Sequence, residues 1–310
     1  MKKTIICILG PTSSGKTKTA IELAKKIKAE IISSDSMQIY KEMPILSQSP
    51  SQKQLKKAKH HLIGDVSVKK EYSAAQFSQK SKKAINRIIK KNKIPIVTGG
   101  TGLYVKVLLD GLFPAPQKDE GLRKRLYAEA EKNGSKALYE KLQQFDAESA
   151  QRIHPNDLKR VIRAIELFYQ TGVAKSVHMK KTKGIREKYN VIESGIMIER
   201  SSLYKKIDKA VDVMFDGGLI EEVKKILKMN PSKTAYQAIG IKEITGYLHR
   251  EYDIGQAREL MKKNTRRYAK RQLTWFRANK NIKWFKDGKS LISYCITKKR
   301  KKQLDASRKG

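Results

Sequence analysis

Short apolar runs alternate with amphipathic stretches along the first third of the chain, and each run stops at a glycine- or serine-rich turn. Ile5 to Leu9 is apolar throughout, the pattern of a strand covered on both faces. From Lys18 to Lys28 the period becomes helical, with Ala20, Ile21, Leu23, Ala24 and Ile27 on one side. Ala29 to Ser33 predicts a second strand, Ala74 to Lys91 a helix, and Ile94 to Thr98 a strand running into Gly99-Gly100-Thr101-Gly102 and another helix. Strand, glycine turn and helix thus occur twice, which predicts a parallel sheet with both turns on one edge.

The middle of the chain changes character. Pro114-Ala115-Pro116 marks a boundary, and Glu120 to about Thr171 reads as amphipathic helices joined at Asn133-Gly134 and His154-Pro155. Val191 to Ile198 returns to strand composition and is expected to rejoin the sheet. Leu203 to Met229, Ala235 to Arg250 and Ile254 to Asn279 are then helical. The expected organisation is a catalytic core from 1–113 and 190–285, a helical insertion at 114–189, and a basic, disordered tail at 298–310.

Gly10-Pro11-Thr12-Ser13-Ser14-Gly15-Lys16-Thr17 fits the phosphate-binding pattern G-x-x-x-x-G-K-[ST], between a strand and a helix as that pattern requires. The glycines let backbone N–H groups turn inward, the helix N-terminus adds partial positive charge, and Lys16 adds a full one. The Thr17 hydroxyl is suited to a magnesium shell. These features predict an α/β fold, a P-loop NTPase-like parallel sheet flanked by helices, with an all-helical insertion domain. Asp35, just past the second strand, lies where open α/β sheets place their ligands, and suits a general base, a metal partner or a turn cap. Adjacent His60 and His61 cannot both face one site from a strand and are read as structural.

The chain has 310 residues, with 68 Lys and Arg against 30 Asp and Glu, a formal net charge of +38. Nucleic acid is the first polyanion to consider. Two cysteines, one inside the first strand, exclude a disulfide framework, and no apolar run is long enough to span a bilayer. A monomeric cytoplasmic protein with no membrane partner is expected.

Taken in order, the P-loop, Ser34-Asp35-Ser36-Met37-Gln38-Ile39-Tyr40, His60-His61-Leu62-Ile63 and Gly99-Gly100-Thr101-Gly102-Leu103-Tyr104 resemble the tRNA dimethylallyltransferase family, also called tRNA isopentenyltransferases. Further matches are Arg152-Ile153-His154-Pro155-Asn156-Asp157, Gly217-Gly218-Leu219-Ile220-Glu221-Glu222-Val223, Gln237-Ala238-Ile239-Gly240 and the run from Thr265 through Gln272 to Arg277. The resemblance implies transfer of the prenyl group of dimethylallyl diphosphate to N6 of the adenosine 3′ to a tRNA anticodon, with Mg2+. It gives Lys16 and the loop from Gly10 to Thr17 to the diphosphate, Thr17 to the metal, and Asp35 to catalysis as general base beside Thr101. It also gives Asp35, Ser36, Met37, Gln38 and Thr101 to the extruded nucleotide, and Arg123, Lys159, Arg160, Val161, Ile162 and Arg163 to the anticodon stem-loop. Independently, Arg266, Arg267, Lys270 and Arg271 form a cationic patch around Tyr268, which together with Trp275 reads more readily as a core anchor than as a base-stacking platform.

The chain departs from the family pattern at Leu46-Ser47-Gln48-Ser49-Pro50, at Gly64, and at Ala210, where the resemblance implies an arginine on the leaving diphosphate. The alternatives are a P-loop small-molecule or nucleoside kinase, and a catalytically weakened relative that binds tRNA without modifying it.

Overall fold

The computed structural model describes residues 2–113 and 115–307. The expected boundary at Pro114 and the last three residues of the expected tail lie outside the described residues. The chain runs through β1 (Thr4–Leu9), α1 (Lys16–Ile27), β2 (Ala29–Ser33), α2 (Gln52–Leu55), β3 (His60–His61), α3 (Ala74–Lys90), β4 (Ile94–Gly99) and α4 (Gly102–Asp110). Four helices follow, α5 (Glu120–Phe145), α6 (Ala147–Arg152), α7 (Leu158–Thr171) and α8 (Lys175–Lys180). The last part is β5 (Asn190–Ile196), α9 (Arg200–Asp216), α10 (Leu219–Lys228), α11 (Ile241–Leu248), α12 (Ile254–Arg277), β6 (Lys283–Phe285) and α13 (Gly288–Ser307). Two compact units result: Met1–Leu109 with Ile185–Gly310, and Asp110–Gly184.

In the first unit the six strands form one sheet in the order β3-β2-β4-β1-β5-β6, and every pair is parallel. Both faces are covered, which is why β1 reads as an unbroken apolar run. Ile5, Cys7 and Leu9 join one core, while Ile6 and Ile8 join the other beside Leu23, Ile31, Ile96 and Ile192. Full burial of each such isoleucine contributes roughly 1.5–3 kcal/mol. The two cysteines are buried and free.

His60 and His61 make the edge strand β3. His61 Nε2 lies 2.7 Å from the buried Glu30 carboxylate, whose other oxygen accepts from Lys93 at 2.8 Å. The long helical stretches break where glycine permits, between α9 and α10 at Gly217-Gly218 and ahead of α11 at Gly240.

The tail departs from expectation. Residues 298–307 are helical, continuing α13. Leu291, Ile292 and Cys295 bury the beginning of that helix against the core under α1, so its nucleation is provided by tertiary packing, and lysine-rich sequence propagates a helix well once nucleated. The signal lay in that apolar stripe upstream of the polar run.

The second unit packs its own core, with Leu122, Leu126, Leu138, Leu142, Val161, Ile162 and Ile165 buried together. Gly134 interrupts α5 with φ 81° and ψ 153°, at the expected joint.

Candidate active site

Parallel pairing in the order β2-β4-β1 brings three carboxyl ends side by side: Ser34-Asp35 after β2, Gly99-Gly100 after β4, and the P-loop after β1. The turns are bound to one another. Ser34 N donates to Thr98 O at 2.8 Å, and Ser36 N donates to the Thr101 hydroxyl at 3.0 Å. Glycine is needed at Gly99 because a β-carbon there would lie 2.4 Å from the Ser34 hydroxyl. Gly10, at φ +143°, would put one 2.6 Å from Ile196 O.

Asp35 is half-buried, and its Oδ1 accepts from the amides of Met37 at 2.9 Å and Gln38 at 3.4 Å. Burial raises its pKa above the usual carboxylate range, against the pull of those amides and of the Lys16 charge. Lys16 donates to Pro11 O, and burial lowers its pKa to about 8, opposed by Asp35. Acid and ammonium therefore feel each other across the site, and each is tuned toward neutrality. Among the described residues the buried Ser13 and Ser14 hydroxyls have no hydrogen-bond partner, an arrangement suited to receiving phosphate oxygens.

Two cavities meet here. One, about 400 Å³, is lined by the P-loop from Thr12 to Lys18, by Gln38 and by Lys206 and Ala210 of α9. The other, about 370 Å³, is walled by Met37, Leu46, Met214, Ile239 and Met261, with Thr101, Tyr268 and Arg271 at its polar side. Thr12, Asp35, Ser47 and Gln48 line both. The carboxylate thus stands in the wall shared by a cationic chamber and a largely apolar one.

Two residues of α12 complete the site in ways the sequence reading did not assign. Buried Gln272 accepts from Thr12 N at 2.9 Å and donates to Gly100 O at 3.0 Å, stapling the P-loop to the second glycine turn. Tyr268 lines the apolar cavity with Thr101, and burial and the Asp35 charge push its pKa up to about 12. The available signal was a polar side chain on the inward stripe of a helix, since Met261, Thr265, Ala269, Gln272 and Phe276 share one buried face. Trp275, expected as a core anchor, is 39% exposed, and its ring covers Gly102. Changing Gln272 to Leu leaves two inward polar groups unpaired, at about 1–3 kcal/mol each. We expect a lower melting temperature and a tenfold or larger loss in the affinity of the P-loop cavity for inorganic diphosphate, measured by calorimetry.

The Leu46–Pro50 loop is held from another direction. Both oxygens of Glu222 on α10 are used, accepting from Ile45 N at 2.9 Å and Leu46 N at 2.7 Å. This keeps Ser47 and Gln48 at the two cavities.

The residues expected to meet RNA divide. Arg123, Lys159, Arg160 and Arg163 line one basic concavity of about 520 Å³ in the second unit. Val161 and Ile162 fall on the apolar stripe of α7 and are buried in the helical core, and Ile162 also borders the concavity. Arg123 is also turned inward, forking onto the buried Glu166 at 3.0 and 2.8 Å, and Arg163 reaches the same carboxylate at 2.5 Å. Lys159 and Arg160 are exposed. On α12, Arg266 is engaged with Asp208 at 2.7 Å, while Arg267, Lys270 and Arg271 remain exposed.

No group of three or more His, Cys, Asp or Glu side chains suited to a metal occurs among the described residues. Thr17 lines the phosphate cavity and offers one hydroxyl. That donor set fits magnesium, which commonly takes few protein ligands and completes its shell with phosphate oxygens and water. Among the described residues no helix is long and apolar enough to cross a membrane.

A family model described as IPP transferase matches residues 38–279. The tRNA dimethylallyltransferase of Halothermothrix orenii is 47% identical over 285 residues, covering 91% of this chain and 87% of its own length. That of Alkaliphilus oremlandii is 45% identical over 305 residues, covering 96% and 97%. Among solved structures, the full-length tRNA isopentenylpyrophosphate transferase of Bacillus halodurans matches with a TM-score of 0.73 at 35% identity, over 99% of this chain and 100% of its own. A eukaryotic dimethylallyltransferase acting on tRNA matches with a TM-score of 0.75 at 30% identity, over 88% and 69%. With most of its length matched by that model and by relatives well above 30% identity, the chain belongs to the IPP transferase family.

Proposed function

We propose that this chain transfers a dimethylallyl group from dimethylallyl diphosphate to N6 of the adenosine 3′ to a tRNA anticodon. The observation that carries this reading is Asp35 in the wall common to the two cavities. The diphosphate lies in the P-loop cavity, and the extruded adenine and the prenyl group share the apolar one.

In the reaction the N6 lone pair forms a bond to the allylic carbon while the bond from that carbon to the diphosphate oxygen breaks. The nitrogen's proton passes to Asp35, and the electron pair leaves with diphosphate. Lys16 and the loop amides oppose the charge growing on the leaving group. Thr17 would hold a magnesium ion at the diphosphate, where it would supply further charge neutralisation. Thr101, whose hydroxyl accepts from Ser36 N and donates to the Ser36 hydroxyl, orients the base beside the acid. Exposed Lys159, Arg160, Arg267, Lys270 and Arg271 provide phosphate contacts, and the reading extends to a monomer working in the cytoplasm.

Incubation with tRNA and either labelled dimethylallyl diphosphate or γ-labelled ATP tests the proposal. The expected result is label in tRNA from the prenyl donor, released as the N6-prenylated nucleoside on digestion. Transfer of the γ-phosphate without prenyl transfer would make the protein a kinase instead.

A further inference from the structure

We propose that Lys206 supplies the cation for the leaving diphosphate from the wall formed by α9, opposite the P-loop. This rests on the seating of the diphosphate in the P-loop cavity. Position 210 is an alanine that lines that cavity and brings no charge to it. Lysine 206 lies one turn earlier on the same helix, about 40° around the axis from Ala210, and it lines the cavity too. Lys209 is about 100° away and does not.

The neighbours of Lys206 fix the helix while leaving its ammonium uncommitted. Ile207 and Val211 are buried, and Asp208 is engaged by Arg266 at 2.7 Å, so α9 cannot turn about its axis without breaking those contacts. Among the described residues Lys206 makes no ion pair, and its side chain is exposed. It also borders a neighbouring groove of about 800 Å³ with Arg200, Lys270, Arg277 and Lys286 and with one carboxylate, Glu199, whose oxygens already accept from the Ser201 and Ser202 amides. The four like charges outnumber that single engaged carboxylate, which disfavours an excursion of the ammonium into the groove and favours its reaching for an anion in the P-loop cavity. A lysine suits this role, because its long flexible stem can follow a diphosphate that moves as the carbon–oxygen bond opens.

The test compares the intact protein with Lys206→Met, Lys206→Arg, Ala210→Arg and the Lys206→Met, Ala210→Arg double variant. Prenyl transfer at saturating tRNA, affinity for inorganic diphosphate with magnesium, tRNA affinity and melting temperature are measured for each. Lys206→Met is expected to lower kcat/KM for the prenyl donor by about tenfold to 10²-fold and to weaken diphosphate binding, with tRNA affinity and melting unchanged. Lys206→Arg should stay near the intact protein, and the double variant should recover most of the loss. Unchanged diphosphate binding in Lys206→Met would overturn the proposal, as would a sharp rise in transfer from Ala210→Arg alone, which would show a missing cation. If the intact protein moves no prenyl group while its diphosphate binding still depends on Lys206, the substrate reading fails and the role of Lys206 stands.

Discussion

Replacing Asp35 with asparagine is expected to reduce prenyl transfer by about 10³-fold while leaving tRNA binding and the fold intact. Asparagine retains an oxygen for the amides of Met37 and Gln38, so the turn survives and only the proton acceptor is lost. The stability change should even be favourable. Burial raises the Asp35 pKa in the folded state, so the ionised carboxylate weakens the fold, and that cost appears as pH rises through the raised value. A neutral amide removes it, and Asp35→Asn should melt slightly higher than the intact protein at neutral pH. The pH profile is a second readout. For the intact protein kcat/KM for the donor should fall on the acid side as Asp35 is protonated, and on the alkaline side as Lys16 loses its proton near pH 8. Asp35→Asn should lose the acid limb and keep the alkaline one. Transfer at the intact rate in this variant would remove Asp35 from the chemistry.

That placement was legible from sequence to the extent that strand order was. The motif at Gly10–Thr17 and the apolar runs before each turn identify three strand ends, and parallel connections put them on one edge. What cannot be read locally is that β4 lies between β2 and β1 and so brings Thr101 against Ser36. Gln272 and Tyr268 come from a helix more than 150 residues further on in sequence than that turn; their position depends on how α12 packs, which no local pattern encodes. The α13 segment was missed for the opposite reason. Its polar composition outweighed a three-residue apolar stripe that was enough to dock it.

A change of Glu166 to alanine should cost the helical unit about 3–5 kcal/mol, the largest stability effect expected from a single surface-distant substitution there. The carboxylate is fully buried and accepts from Arg123, Arg163 and Asp119 N. Burial alone would raise its pKa, but the hydrogen bonds from Arg123, Arg163 and the Asp119 amide together outweigh it and hold the carboxyl below its ordinary range. The stabilisation is therefore present above the unfolded-state pKa of about 4.3 and is lost as pH falls through the depressed folded value. Deletion of the carboxylate strands two guanidinium groups and an amide, whereas deletion of Arg123 strands one partly satisfied anion. Amide hydrogen exchange across α5 and α7 should show both variants opening, with Glu166→Ala the more severe. Lys159→Ala and Arg160→Ala, on exposed side chains, should leave exchange unchanged and weaken tRNA binding instead. If Arg123→Ala lowered tRNA affinity with no change in exchange, its guanidinium would belong to the RNA contact that the sequence suggested, and the ion pair would be incidental to the fold. The geometry argues otherwise, because a planar fork already matched to a buried carboxylate has to abandon that partner before it can reach a phosphate.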